Sequence, residues 1–154
     1  MSETPSLNED FLDMLDALIA ERVDFLVVGA HAMAVHGTPR ATGDIDILVR
    51  PEASNAARVL AALRRFGAPI AQHNITEQDF ATPGTVYQVG LPPRRIDLLT
   101  AITGVSFEAA WATRIAAQLG GRSVSVLGRE ALLENKRATG RVKDLADLKL
   151  LEKP

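Results

Sequence analysis

The sequence predicts one α/β (α+β) domain, spanning residues 1–154, in which a mixed sheet is flanked by helices. Three observations predict it. Apolar residues recur at helical spacing in long segments, short unbroken apolar runs end at turn residues, and no repeat or long linker divides the 154 residues. The composition, with 47% apolar and 23% charged side chains, is typical of a globular domain. A chain of this length can bury roughly 68–70% of its unfolded surface, which is enough for a real core.

Helices and strands are predicted to alternate in the first half of the chain. Helical periodicity predicts the two long helices, and Ser6 with Glu9 is a candidate capping box for the first. Unbroken apolar runs predict two strands, which end at Gly29 and before Pro51. Gly37 ends the short helix between them. The predicted elements are a helix over 7–20, a strand over 25–28, a short helix over 30–36, a strand over 45–49 and a helix over 54–66.

The second half is predicted to begin with a loop, because residues 68–84 are mixed in character and rich in turn formers. Residues 92–94, Pro-Pro-Arg, separate two strands that form a hairpin. Gly140 separates the last two helices. The predicted elements are strands over 86–91 and 95–99, a helix over 107–113, a strand over 123–127, and helices over 129–139 and 142–151.

Composition limits the chemistry that this protein can perform. With no cysteine there are no thiolate metal sites or thiol nucleophiles, so carboxylates, histidines and hydroxyls remain. A net charge of −2 gives no overall positive field to hold a polyanion. The aromatic residues, five Phe, one Trp and one Tyr, are few for a surface that stacks bases, so composition disfavours a nucleic-acid-binding protein. The N-terminal residues show neither a signal peptide nor a membrane span, so we expect a soluble, cytoplasmic protein without a membrane partner.

Two acidic residues share one face of a predicted strand. Asp44 and Asp46 stand two residues apart, so their side chains leave the same face while Ile45 and Ile47 enter the other. Two such charges about 4 Å apart repel by roughly 4 kcal/mol at an effective dielectric constant of 20, which a divalent cation would relieve. Asp97 lies in another apolar run. If the two strands are neighbours, the three carboxylates suit Mg²⁺, and two such ions can serve an in-line displacement at phosphorus.

Gly29 ends one predicted strand and opens a short helix. Its missing side chain and the backbone N–H groups that follow could receive a phosphate. An ordinary turn glycine explains the same residue, so the junction alone is weak evidence.

The order of these residues resembles the nucleotidyltransferase superfamily that includes DNA polymerase β. Minimal members of that superfamily carry Gly-Ser or Gly-Gly, then Asp-x-Asp on the next strand, then one later Asp. Here the pattern is Gly29-Ala30, then Asp44 and Asp46, then Asp97. Ala30 departs from the usual Ser and removes one hydroxyl contact to phosphate. The resemblance implies a nucleotidyltransferase-like mixed sheet.

Flanking segments are similar to the AbiEii-type toxin nucleotidyltransferases of bacteria. They are His-Gly at 36–37, Arg-Ala-Thr-Gly-Asp-Ile-Asp at 40–46, Leu-Leu-Glu-Asn-Lys at 132–136 and Arg-Val-Lys-Asp-Leu-Ala-Asp-Leu at 141–148. The resemblance covers about residues 25–150.

The resemblance implies transfer of a nucleoside monophosphate, AMP from ATP, to an acceptor hydroxyl with release of pyrophosphate. Two Mg²⁺ ions would be held by Asp44, Asp46 and Asp97, and Asp97 would also activate the acceptor. A tRNA, a protein and a small molecule are all open as acceptors. The implied nucleotide contacts are Gly29, Ala30, His31, Arg40, Lys136 and Lys143.

Other interpretations stay open. A catalytically weak module that binds nucleotide or an antitoxin partner is the main alternative, which Ala30 favours slightly. Lys143 and Asp147 could be an exposed helical ion pair, and Arg94 with Arg95 either contact an acceptor or form a solvated edge. A phosphatase of the haloacid dehalogenase type, with Asp44 as nucleophile, fits poorly. That family carries the motif Asp-x-Asp-x-Thr, and in this sequence Leu48 occupies the Thr position.

Overall fold

The computed structural model describes residues 7–39 and 42–152, which form a sheet of six strands with seven helices packed around it. None of these helices is long and apolar enough to cross a membrane. The strands are β1 (Phe25–Val28), β2 (Asp44–Val49), β3 (Val86–Val89), β4 (Arg95–Leu99), β5 (Ile115–Leu119) and β6 (Arg122–Val126). The helices are α1 (Glu9–Ala20), α2 (Gly29–Val35), α3 (Ala53–Phe66), α4 (Glu77–Ala81), α5 (Phe107–Ala112), α6 (Arg129–Thr139) and α7 (Val142–Glu152).

The sheet is mixed, as the sequence predicts, and its strand order is β3-β4-β2-β1-β6-β5. The two outer pairs are antiparallel, and β3 with β4 is the predicted hairpin. In the centre, β1 runs antiparallel to β2 but parallel to β6, while β2 runs parallel to β4. Consequently β1 and β6 end at the edge of the sheet where β2 and β4 begin. We call this the Asp44 edge, after the first residue of β2.

Alternation along the central strands decides which side chains enter the core. All four residues of β1 are buried, and in β2 the buried Ile45 and Ile47 alternate with the half-buried Asp44 and Asp46. A strand has a period of two, so the acids lie on one face while the isoleucines pack into the interior. The sheet therefore presents the acidic face of β2 at the Asp44 edge without opening the core.

The first helix begins at Glu9, two residues later than predicted. Asn8 is its N-cap, since the side-chain oxygen accepts a hydrogen bond from the backbone N–H of Phe11 at 3.0 Å. The predicted capping box depends on Ser6, which lies outside the described residues. The other predicted helices end within about two residues of their observed limits, and α6 matches its predicted range.

Two elements are absent from the sequence prediction. The segment predicted as a loop contains α4, whose capping box joins Thr76 and Asp79. The backbone N–H of Thr76 donates to Asp79 Oδ2 at 2.8 Å, so a Thr-x-x-Asp signal was present. Strand β5 was also missed, because Ala116, Ala117 and Gln118 carry little strand preference. Its full antiparallel pairing with β6 holds it in place.

Candidate active site

Three carboxylates meet at the Asp44 edge. Asp44 and Asp46 lie on β2, Asp97 lies on β4, and the parallel register places Asp46 beside Asp97. One carboxylate oxygen from each residue lies within 4.8 Å of the others. We call these three residues the carboxylate cluster. Hard oxygen donors at this spacing suit Mg²⁺, so the cluster fits a divalent ion in both chemistry and distance.

An arginine also lies in the cluster. Arg95 is paired with Asp44 in the register of β2 and β4, and it precedes Asp97 by two residues on the same face. Its Nη2 donates to Asp44 Oδ2 at 2.6 Å, and its Nε donates to Asp97 Oδ1 at 3.0 Å. On the other side, the Thr42 hydroxyl donates to Asp44 Oδ1 at 2.8 Å. The sequence left Arg95 between an acceptor contact and a solvated edge, and the structure instead makes it a bridge between two carboxylates.

The carboxylates carry more negative charge than their surroundings compensate. Burial, followed by the charges of Asp44 and Asp97, raises the pKa of Asp46 to about 7. Burial also acts to raise the pKa of Asp44, but hydrogen bonds from Thr42 and Arg95 outweigh it and lower that pKa. Asp44 is thus stabilised as an anion, while Asp46 resists ionisation. A divalent cation would remove that resistance.

The junction between β1 and α2 lies against the carboxylate cluster. Gly29 has a φ of +68°, which favours glycine, and a Cβ at this position would overlap Asp46 Oδ2. The Asp46 carboxylate therefore occupies the space that a side chain at position 29 would need. Ala30 follows in the first turn of α2 and is half-buried. Sequence reasoning assigned Gly29 to a phosphate, and the structure shows a second reason for glycine here.

The two histidines of the α2 region differ in their surroundings. His31 is half-buried and its ring meets Phe11 edge-on, with centroids 5.8 Å apart. Burial lowers the pKa of His31, and the charge of Asp44 opposes that shift. His36 is the C-cap residue of α2, and its Nε2 lies 2.8 Å from the Leu127 carbonyl oxygen. His31 therefore lies within the electrostatic reach of the carboxylate cluster, whereas His36 ties α2 to the end of β6.

Lys136, one of the predicted nucleotide contacts, forms its ion pairs away from the carboxylate cluster. Lys136 is buried between α6 and α7, where its Nζ lies 3.0 Å from Asp147 Oδ2 and 3.4 Å from Asp144 Oδ1. Asp144 also accepts from Arg141 Nε at 2.6 Å. We call Lys136, Arg141, Asp144 and Asp147 the interhelix ion cluster. Among the described residues, Lys136 forms its ion pairs there and none with the carboxylate cluster.

Lys143 and Arg40 complete the predicted set of nucleotide contacts. Lys143 is exposed on α7. The alternative interpretation, an exposed ion pair between Lys143 and Asp147, is wrong about exposure, because Asp147 is buried and pairs with Lys136. Arg40 lies outside the described residues.

A separate cavity of about 530 Å³ lies at the opposite edge of the sheet, beyond the ends of β2 and β4. Its wall includes Arg50, Phe107 and Glu108, and no residue of the carboxylate cluster lines it. Arg50 is already paired with Asp24 at 2.9 Å and with Glu108. The convergent chemistry of the molecule is therefore at the Asp44 edge rather than in this cavity.

Comparison with solved structures identifies the fold. A lincosamide antibiotic adenylyltransferase bound to lincomycin matches with a TM-score of 0.60 at 14% identity, covering 97% of this chain and 99% of that one. The antibiotic-resistance factor ANT(2'')-Ia matches at 0.59 and 14% identity, over 92% and 80% of the two chains. A nucleotidyltransferase-like protein from Paracoccidioides brasiliensis matches at 0.52 and 16% identity, over 92% and 74%.

No model of a known protein family matches the sequence, and no curated protein matches it. The structural likeness establishes that this chain has the nucleotidyltransferase fold. The fold class predicted from the sequence is confirmed.

Proposed function

We propose that this protein is a metal-dependent nucleotidyltransferase that transfers a nucleoside monophosphate, AMP from ATP, to an acceptor hydroxyl. One observation carries the proposal: Asp44, Asp46 and Asp97 converge within 4.8 Å beside Gly29, on a fold shared with nucleotidyltransferases. In this reaction the acceptor oxygen bonds to the α-phosphorus, the bond between that phosphorus and its bridging oxygen breaks, and pyrophosphate leaves.

Asp44, Asp46 and Asp97 would hold two Mg²⁺ ions. When bound there, the ions supply charge stabilisation for the attacking and leaving oxygens. Asp97, which is buried and lies beside Asp46, is the carboxylate that we assign to accept the proton of the acceptor hydroxyl. Gly29, Ala30 and His31, which are half-buried at the start of α2, are the residues that we assign to face the nucleotide. Lys136, Lys143 and Arg40 are supported as nucleotide contacts by the resemblance alone.

Nucleotide transfer can be measured directly. The protein is incubated with each α-labelled nucleoside triphosphate, Mg²⁺ and four acceptor classes: tRNA, protein from a cell extract, small hydroxylated compounds, and lincomycin. The last is the ligand in one structural neighbour. We expect label transfer from ATP with the wild-type protein and none with the double variant Asp44→Asn/Asp46→Asn. Transfer that persists in the double variant contradicts the assignment of the site.

A second candidate is a nucleotide-binding module that acts with an antitoxin partner and turns over poorly. Ala30 favours it, because the residue carries no hydroxyl for a phosphate. Calorimetric titration with ATP and Mg²⁺ separates the two candidates. Metal-dependent binding without turnover on any acceptor supports the module, and turnover with any acceptor contradicts it.

A further inference from the structure

Arg95 already occupies the oxygens that a metal ion would use. Its guanidinium donates to Asp44 Oδ2 at 2.6 Å, to Asp97 Oδ1 at 3.0 Å and to Asp97 Oδ2 at 3.3 Å. Asp44 Oδ1 accepts from Thr42. All four oxygens of Asp44 and Asp97 are therefore engaged within the chain.

The sheet itself directs Arg95 to this position. Arg95 is the first residue of β4 and lies opposite Asp44 in the parallel register, while Asp97 follows on the same face. The side chain is about one-third exposed, at 31%, so the guanidinium can leave toward solvent without disturbing the core. Arg95 therefore has defined hydrogen bonds to the carboxylates and can also move away from them into solvent.

A guanidinium and a divalent ion cannot both lie against these oxygens without strong repulsion, because their charges are alike and the distances are a few ångströms. We propose that Arg95 is an internal competitor for the metal: it occupies oxygens of Asp44 and Asp97, and divalent ions bind only as its guanidinium withdraws from them. This inference rests on the proposed function, since it assumes that the carboxylate cluster binds metal. Arg95 is thereby a residue that sets metal affinity rather than a ligand.

The binding of Mn²⁺, followed by electron paramagnetic resonance or calorimetry, tests the competition. Arg95→Gln keeps hydrogen-bonding groups and removes the charge. We expect it to bind Mn²⁺ at least about tenfold more tightly than the wild-type protein. Arg94→Gln is the matched control, because Arg94 is the neighbouring arginine, half exposed, and pairs with Asp10 at 3.6 Å. Its Mn²⁺ affinity is expected to stay within about twofold of wild type.

A measurement on the wild-type protein does not depend on how a variant folds. The Nε–H of Arg95 donates to Asp97, so its ¹H–¹⁵N signal is expected to be protected from exchange in the metal-free protein. Saturation with diamagnetic Mg²⁺ should abolish that protection. An Nε–H signal unchanged by Mg²⁺, or equal Mn²⁺ affinities for Arg95→Gln and wild type, overturns the competition while leaving the metal site intact. Absence of saturable Mn²⁺ binding in both proteins overturns the metal site of the proposed function and the competition with it.

Discussion

Two clusters in this molecule pair acidic with basic side chains, and they differ in charge balance and in exposure. The interhelix ion cluster sets Lys136 and Arg141 against Asp144 and Asp147, so its formal charges balance. The carboxylate cluster sets three acids against Arg95 alone. Asp144 and Asp147 are 0% and 2% exposed, whereas the side chains of Asp44 and Arg95 are 22% and 31% exposed.

The difference separates a structural site from a candidate active site. In the interhelix ion cluster Lys136 and the two acids are buried, while Arg141 pairs with Asp144 from the surface at 64% exposed. Removing Lys136 leaves two buried acids with one cation fewer. The carboxylate cluster is partly exposed and carries surplus negative charge, so a bound cation would stabilise it. The resemblance implies catalytic or nucleotide-binding roles for residues of both clusters. Charge balance favours a functional role only for the carboxylate cluster.

The largest expected effect is on activity. Asp97→Asn removes one of three anionic ligands and the assigned proton acceptor, so we expect transfer to fall about a thousandfold, equivalent to about 4 kcal/mol. Stability should change by less than about 1 kcal/mol, because the ion pair that is lost with Arg95 is partly exposed. Steady-state kinetics and urea unfolding measure the two effects. Asp16→Asn, which removes a more exposed acid paired with Arg122, is the control. If Asp97→Asn instead keeps a tenth of wild-type activity, the assignment of Asp97 as a catalytic residue is wrong.

The opposite pattern is expected for Lys136→Met. The variant leaves Asp144 and Asp147 buried with one cation fewer, which should cost about 3 kcal/mol of unfolding free energy. Mn²⁺ affinity should not change. Lys143→Met, an exposed lysine on the adjoining helix, should cost less than about 0.5 kcal/mol. If Lys136→Met is instead stable and raises KM for the nucleotide, the comparison between the two clusters fails and the resemblance is right about this residue.

Gly29→Ala tests whether space beside Asp46 matters to the carboxylate cluster. The added Cβ would displace the Asp46 carboxylate, so we expect Mn²⁺ affinity to fall about tenfold, or about 1.4 kcal/mol. Gly37→Ala is a matched control, because Gly37 also has positive φ, +92°, but a Cβ there meets nothing within 4 Å. Both variants carry the backbone cost of about 1–2 kcal/mol. Equal metal affinities in the two variants would show that only the backbone strain counts.

The interhelix ion cluster should also appear in the pH dependence of stability. Burial acts to raise the pKa of Asp144, but hydrogen bonds from Arg141 and Thr139, with the charge of Lys136, hold it well below its usual range. A depressed folded-state pKa contributes stability above the unfolded value, about pH 4, and that stability is lost as the pH falls further. We expect the stability advantage of wild type over Asp144→Asn to shrink by up to about 1.4 kcal/mol per pH unit below pH 4. An advantage that stays constant from pH 7 to pH 2 would contradict this assignment.

The smallest effect is expected from Ala30→Ser. The substitution introduces the hydroxyl of the Gly-Ser pattern that the nucleotidyltransferase superfamily usually carries, and one added hydrogen bond is worth about 0.5–1.5 kcal/mol. KM for ATP should therefore fall by roughly threefold to tenfold, with little change in kcat. An unchanged KM would place the phosphates away from the start of α2.

Much of the fold follows from local pattern. Helical periodicity predicted the course of α3 and α6, and unbroken apolar runs predicted β1 and β2, because burial of one face requires a matching period. Strand β5 could not be found in this way, since its small and polar residues depend on pairing with β6. The capping signal at Thr76 and Asp79 could have revealed α4, but the helix is only five residues long.

The sequence by itself determined that Asp44 and Asp46 share a face, because side chains alternate along a strand wherever that strand lies. It also determined the candidate role of Asp97, through the order of the acids and the resemblance that this order carries. Only the tertiary structure decided which cations join which acids. Arg95 meets Asp44 across 51 residues and Lys136 meets Asp147 across 11, through strand register and helix packing respectively. Charge balance is a property of neighbours in space, and one-dimensional spacing does not contain it.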